Sequence, residues 1–277
     1  MKKTHLLLSL CILLCFWKCD SPKKEISQST TPVMGLISQK AMVVSAREEA
    51  SRIGSEIMQQ GGNAFDAMVA TEMALAVCYP NAGNLGGGGF MVYRTHRGEV
   101  GALDYREKAP LRANRDMYLD ENKKYIQDKS KTGGLAVGVP GTIAGIFKAH
   151  KRFGSLPMQT ILRPVILLAK NGFKITEKQA KQFNDYSGVF KQVNQENSIY
   201  TKKFKAGDVF KNEALANTLQ QISDNGRSAF YQGEIAKTLV AFLQKNGGII
   251  SLKDLDNYQA IWREPIVFNY KDLRIIS

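Results

Sequence analysis

A mixed α/β (α+β) fold, rich in helix, is what this sequence predicts, and three observations carry it. Apolar residues recur at helical spacing in at least six segments, two short apolar runs flank an Arg97-Gly98 turn as a strand pair would, and glycines stop most of the periodic segments. The chain of 277 residues is long enough for a sizeable core, and its 44% apolar and 23% charged content is ordinary for a globular protein. That composition excludes a disordered chain, a collagen-like repeat and a coiled-coil rod. No internal repeat is present.

The N-terminus reads as an export leader. Met1-Lys2-Lys3 is a basic start, and Leu6 to Trp17 is an apolar stretch of twelve residues, too short to span a membrane and suited to a secretory signal. Residues 1–18 are therefore expected to be a signal peptide. Cys19 precedes a polar stretch, Asp20-Ser21-Pro22-Lys23-Lys24-Glu25, of the kind that follows a lipidated cysteine in bacterial lipoproteins. Phe16-Trp17-Lys18 lacks the small residue of a lipobox, so lipidation of Cys19 and plain cleavage nearby both stay open. Residues 19–35 read as a tether and 36–277 as the folded domain. The expected location is periplasmic or lipid-anchored to the bacterial envelope.

Within the domain, Ala50, Ile53, Ile57 and Met58 give Glu48 to Gln60 an amphipathic helical spacing that ends at Gly61-Gly62. Asn63 can cap the next helix, Ala64 to Cys78, with Asp66 near its positive end; this helix is apolar almost all round and so should be buried. Pro80 stops it. Phe90 to Tyr93 and Val100 to Tyr105 read as two strands, and Arg106 to Pro110 leaves the second. Asp120 to Lys131 is a charged loop. Helices follow over Gly141 to Lys151, Met158 to Lys170, Asn212 to Ser223 and Gly233 to Lys245, and Ser251 with Asp254 resembles a capping box for a shorter one. Pro265 to Tyr270 and Leu273 to Ser277 close the chain as strands.

The net charge of +13 raises the question of nucleic acid. Residues 148–211 hold thirteen Lys/Arg against four Asp/Glu, but these are spread out, few aromatics are placed to stack, and no nucleic-acid module signature accompanies them. A solvated basic face is the expectation, with no nucleic-acid partner. His5, His96 and His150 have no metal-ligand spacing, so no metal site is expected; no cofactor is expected either. Cys11, Cys15 and Cys19 lie in the leader, and Cys78 sits in an apolar run as a small hydrophobe.

Two features could carry chemistry. The loop Asn81-Ala82-Gly83-Asn84-Leu85-Gly86-Gly87-Gly88-Gly89 could line an anion with backbone amides, or its glycines could let backbone pass close to another segment or a substrate. No Lys-Ser/Thr follows and the run leads into a strand, which argues against a nucleotide P-loop. Arg106, flanked by Asp104 and Glu107, could be a surface charge, a structural salt bridge or a fork for a carboxylate. No Gly-x-Ser-x-Gly elbow is present.

At these residues the chain resembles the γ-glutamyltransferase (glutathione hydrolase) family. The resemblance runs from Gly61-Gly62-Asn63-Ala64-Phe65-Asp66-Ala67 through Pro80 to Met91, Asp104-Tyr105-Arg106-Glu107-Lys108-Ala109-Pro110, Arg115-Asp116-Met117 and Gly138-Val139-Pro140-Gly141-Thr142. It continues in Lys245-Asn246-Gly247-Gly248 and Trp262-Arg263-Glu264-Pro265-Ile266, covering about residues 40–277. It implies part of an N-terminal-nucleophile hydrolase, whose complete fold is a four-layer αββα sandwich. It also implies a proenzyme that cleaves itself, a threonine nucleophile activated by its own α-amino group, and transfer of the γ-glutamyl group of glutathione to water or an acceptor amino acid or peptide through a threonyl ester. By the same resemblance Arg106 binds the substrate α-carboxylate. The nucleophilic threonine is expected beyond Ser277, so this reading places no catalytic nucleophile within the 277 residues and makes a C-terminal or small subunit the missing partner. Two other readings remain: an inactive, truncated, surface-tethered binding protein, and a nucleotide binder built on Gly86 to Gly89.

Overall fold

The computed structural model describes residues 35–194 and 198–277. The expected signal peptide, Cys19 and nearly all of the tether lie outside the described residues. The chain divides into two units, Met1–Lys40 and Ala41–Ser277; the described residues of the first contain no helix or strand.

Helix α1 (Glu48–Gln59) buries Ala50, Ile53 and Ile57, the stripe its sequence spacing predicts. Gly61 ends it at φ +93°, a left-handed conformation that suits glycine. Helix α2 (Ala64–Cys78) starts in a full capping box. Asn63 Oδ1 accepts the amides of Phe65 and Asp66, and the Asp66 carboxylate accepts the Asn63 amide at 2.9 Å. Ten of its fifteen residues are buried, Cys78 among them, because α1 covers one side and α4 (Met158–Asn171) another. The contact between α1 and α2 is close: a Cβ on Gly54 would fall 2.2 Å from Thr71 Oγ1.

Strands β1 (Phe90–Arg94) and β2 (Val100–Asp104) pair antiparallel around Gly98, whose φ is +86°. The far edge of β2 receives β5 (Ile261–Arg263), in the register Ala102↔Arg263, Leu103↔Trp262 and Asp104↔Ile261. No strand is legible at 261–263 in the sequence, since three residues are too few to show alternation. Met91, Leu103 and Trp262 face the core side of this sheet, whereas Phe90, Val92 and Ile261 are exposed on the other.

Helix α3 (Thr142–Phe153) packs under β2, and α4 runs on to Gly172 at φ +84°. The basic stretch holds more structure than expected: β3 (Phe173–Lys174) pairs with β4 (Val209–Phe210), and α5 (Glu177–Asn194) is an 18-residue helix. Its start was written in the sequence as Thr176-Glu177-Lys178-Gln179. Thr176 Oγ1 accepts the Gln179 amide at 3.2 Å and Gln179 Oε1 accepts the Thr176 amide at 3.3 Å, the reciprocal bonds of a capping box. Gln179, itself buried, also receives Arg47 Nη1 at 2.7 Å and donates to the Cys78 carbonyl at 2.8 Å. Lys170, Lys174, Lys178, Lys181, Lys191, Lys202, Lys203 and Lys205 are all exposed, a solvated basic face as the charge count suggests.

Helices α6 (Glu213–Asn225), α7 (Arg227–Tyr231), α8 (Glu234–Lys245) and α9 (Leu252–Asp256) follow; α7 is a single turn, too short to show a periodicity in the sequence. Ser251 and Asp254 form the expected capping box. A hairpin of β6 (Val267–Tyr270) and β7 (Leu273–Ile276) ends the chain, in agreement with the expected closing strands. No helix among the described residues is long and apolar enough to cross a membrane.

Candidate substrate-binding site

The glycine loop lies directly on the backbone that carries Arg106. Gly89 and Tyr105 exchange two backbone hydrogen bonds, N–H to O=C at 3.3 and 3.0 Å, which extend the β1–β2 pairing into the loop. A Cβ on Gly88 would fall 2.5 Å from the Tyr105 carbonyl oxygen and 2.8 Å from the Glu107 nitrogen, so only glycine lets the two chains approach this closely. The Gly87 amide donates to Asn84 Oδ1 at 2.8 Å, and the same oxygen receives the Thr142 hydroxyl at 2.7 Å. The Gly87 carbonyl in turn accepts the amides of Gly141 and Thr142, at 2.6 and 3.1 Å, from the start of α3. The amides of Gly87 and Gly89 are thus engaged within the protein, and Gly88 and Gly89 serve close backbone approach.

Arg106 sits one residue past Tyr105, exposed at the exit of β2. Of the three roles open to it, the structural salt bridge is absent: among the described residues its guanidinium makes no ion pair or hydrogen bond. Its natural partner, Asp104, is taken by Arg263 of β5, whose Nη2 and Nε reach Asp104 Oδ2 at 2.7 and 2.8 Å. Asp104 Oδ1 accepts the Arg106 amide at 3.1 Å. Burial pushes the Asp104 carboxyl up, but the Arg106 amide and the Arg263 guanidinium outweigh it and hold the group below its ordinary range.

The main chain around Arg106 is anchored from below. The Tyr105 ring fits where Gly89 and Gly145 have no side chain; a Cβ on Gly145 would fall 2.3 Å from it. Its hydroxyl donates to Glu72 Oε2 of α2 at 3.2 Å. Burial pushes the Glu72 carboxyl up to about 7, partly offset by that hydrogen bond, and pushes the Tyr105 hydroxyl well above its usual value. The buried Tyr258 donates its hydroxyl to the Arg106 carbonyl at 2.7 Å.

The sequence-predicted residues therefore come together: the Gly86 to Gly89 run, Asp104 and Arg106 form one corner. Arg115, also within a motif of the resemblance, stands apart and almost fully exposed. Sequence reasoning missed Tyr258, and it missed Arg263 as the partner of Asp104 although the Trp-Arg-Glu-Pro motif that contains it was in view. No group of histidine, cysteine, aspartate or glutamate that could hold a metal occurs among the described residues.

Residues 50–277 match the Gamma-glutamyltranspeptidase family model. The glutathione hydrolase proenzyme of Escherichia coli is 41% identical over 244 residues, which are 86% of this chain and 42% of that protein. The corresponding proenzyme of Bacillus subtilis is 38% identical over 245 residues, 87% of this chain and again 42% of the relative. This chain thus spans less than half the length of these curated relatives. Among solved structures, the Helicobacter pylori gamma-glutamyltranspeptidase superposes with a TM-score of 0.85 at 39% identity, over 88% of this chain and 71% of that one. The Pseudomonas nitroreducens enzyme, solved in complex with L-DON, gives 0.80 at 40% identity, over 86% and 70%. The helix-rich mixed architecture described above is accordingly part of the N-terminal-nucleophile hydrolase fold, and this chain belongs to the γ-glutamyltranspeptidase family.

Proposed function

We propose that this chain is the γ-glutamyl-binding part of a glutathione hydrolase/γ-glutamyltransferase, and that Arg106 grips the α-carboxylate of the γ-glutamyl group. The observation that carries this reading is an exposed guanidinium that has no ion pair or hydrogen bond among the described residues, projecting from a residue whose amide and carbonyl are both held by side chains. A planar fork with paired N–H donors matches a carboxylate, and the chain's own nearest carboxylate, Asp104, is already closed by Arg263.

In this reading the carboxylate end of the glutamyl group is fixed at Arg106, which leaves the γ-amide to reach a nucleophile contributed elsewhere. In the same reading the threonine that forms the ester lies in the part of the family's length that these residues do not span, and the ester is passed on to water or an amino acid. Glutathione and related γ-glutamyl compounds are the proposed substrates, and the proposed partner is the small subunit. Met1 to Trp17 supports export, and Cys19 with the polar stretch after it supports a lipid anchor at the envelope.

The test joins the chain to the C-terminal remainder of its Escherichia coli relative and follows hydrolysis of a γ-glutamyl anilide. Free glutamate should compete with the substrate, and 4-aminobutyrate, which lacks the α-carboxylate, should not. Equal competition by the two would refute carboxylate recognition. The export proposal is read separately: labelled palmitate should enter the wild type and not Cys19→Ala, whereas a wild-type protein without label would reject the anchor.

A further inference from the structure

Both main-chain polar groups of Arg106 are held by side chains. Its amide donates to Asp104 Oδ1 at 3.1 Å, and its carbonyl accepts the Tyr258 hydroxyl at 2.7 Å, across 152 residues of sequence. Arg106 is exposed and Tyr258 is buried, so the bond reaches from the packed interior to the foot of the proposed carboxylate grip.

Tyr258 is itself firmly held. Its ring stacks on Tyr231 with centroids 5.9 Å apart and planes 11° from parallel, and Lys108 Nζ stands 5.0 Å above it while donating to the Gln259 carbonyl at 3.0 Å. Arg227 donates to the Tyr258 carbonyl and lies over the Tyr231 ring. Tyr231 links this stack to the glycine loop's other support: its hydroxyl donates to the Pro140 carbonyl at 2.9 Å and accepts the Ala144 amide at 3.2 Å. The next residue, Gly141, donates to Gly87 and leaves the space Tyr258 needs, since a Cβ there would fall 2.2 Å from the Tyr258 hydroxyl.

We infer that Tyr258 is a positioning residue for Arg106, fixing the peptide from which the guanidinium projects; the inference rests on the reading of Arg106 given above. Packing alone does not call for this hydroxyl, because phenylalanine would fill the same stacked space. Burial, together with the negative charges of Asp104 and Glu107, pushes the hydroxyl up to about 12, so it keeps its proton and remains a donor across the physiological range. A guanidinium at the end of a long side chain magnifies small shifts at its base, and misplacement of a binding group is felt as lost orientation of the substrate.

The experiment is a double-mutant cycle in the joined protein described above, with Tyr258→Phe, Arg106→Ala and the pair, reading KM, kcat and thermal midpoint for a γ-glutamyl anilide. Tyr258→Phe should raise KM about three- to tenfold, the change that loss of one neutral hydrogen bond corresponds to, with kcat held within about twofold. It should do nothing further once Arg106 is alanine. Equal losses from Tyr258→Phe in both backgrounds would make its role merely structural and overturn the inference. So would an unchanged KM in Tyr258→Phe beside a large rise in Arg106→Ala. If Arg106→Ala itself leaves KM unchanged, the reading of Arg106 is what falls, and the inference falls with it.

Discussion

Arg263 closes on Asp104 with two nitrogens on one carboxylate oxygen, Nη2 at 2.7 Å and Nε at 2.8 Å, although Arg106 is only two residues from Asp104 in the chain. The pairing follows from sheet register. Asp104 lies opposite Ile261 and Ala102 opposite Arg263, so Arg263 and Asp104 are diagonal neighbours on one face. A third strand thus neutralises the acid that would otherwise compete for Arg106.

Arg263→Ala should release Asp104. Its carboxyl loses an opposite charge and a charge-assisted hydrogen bond, so an NMR titration of that carboxyl should show its pKa climb towards the ordinary value. Because Arg263 is more than half exposed, the stability cost should stay within about 1 kcal/mol. An Asp104 titration that does not move would show that the Arg106 amide and the Lys108 charge set it without Arg263.

Glu72 gives a pH dependence with a definite sign. Burial pushes its carboxyl from the ordinary glutamate range up to about 7, so the folded chain binds an extra proton between that range and pH 7. Stability from this group is therefore complete below about pH 4.5 and is lost as pH rises through 7, by on the order of 1–3 kcal/mol. Glu72→Gln should flatten that slope and raise the thermal midpoint at pH 8 relative to the parent. A parental slope that persists in the variant would assign it to another group.

Two glycines of the same run should behave differently. Gly88→Ala places a Cβ against the Tyr105 carbonyl and the following peptides, which are main chain and cannot turn aside, whereas Gly86 has nothing within 4 Å. Gly88→Ala should cost about 1–3 kcal/mol in denaturant unfolding and Gly86→Ala close to nothing. Equal effects would show that the loop adjusts freely.

Much of this arrangement is legible in the sequence, and the unread parts share a cause. The capping boxes at Asn63 and Ser251, the glycine stops, and the corner of Gly86 to Gly89 with Arg106 are local patterns, written within a few residues of where they act. Helix α5 is masked in the sequence by its spread of lysines, which dilutes the apolar periodicity, although its start is legible in Thr176 and Gln179. Arg263 and Tyr258 were not locally readable. Each acts on residues 104–106 from more than 150 positions away, through sheet register in one case and a stack of aromatic rings in the other.

The outward face of the sheet predicts association. Phe90 and Val92 of β1 and Ile261 of β5 are exposed on one side, and Val267, Phe268 and Tyr270 are exposed on the terminal hairpin. The chain by itself should self-associate in sedimentation velocity as concentration rises, and Phe90→Ser with Val92→Thr should reduce this. A single monomer boundary at all concentrations would show that these faces are not adhesive.

The central claim is that Arg106 holds a substrate carboxylate, and the most direct measurement is kcat/KM for glutathione in the joined protein with Arg106→Ala and Arg106→Lys. Loss of a hydrogen-bonded charge partner costs about 2 kcal/mol or more, so the alanine variant should fall roughly 30-fold or further. Most of that loss should lie in KM, because the carboxylate is remote from the reacting amide and is held alike in ground and transition states. Lysine keeps the charge without the fork and should fall between alanine and the parent. Self-cleavage should proceed in both variants, since it involves no free glutamyl substrate. An alanine variant that matures normally and hydrolyses glutathione within a few-fold of the parent would contradict the account.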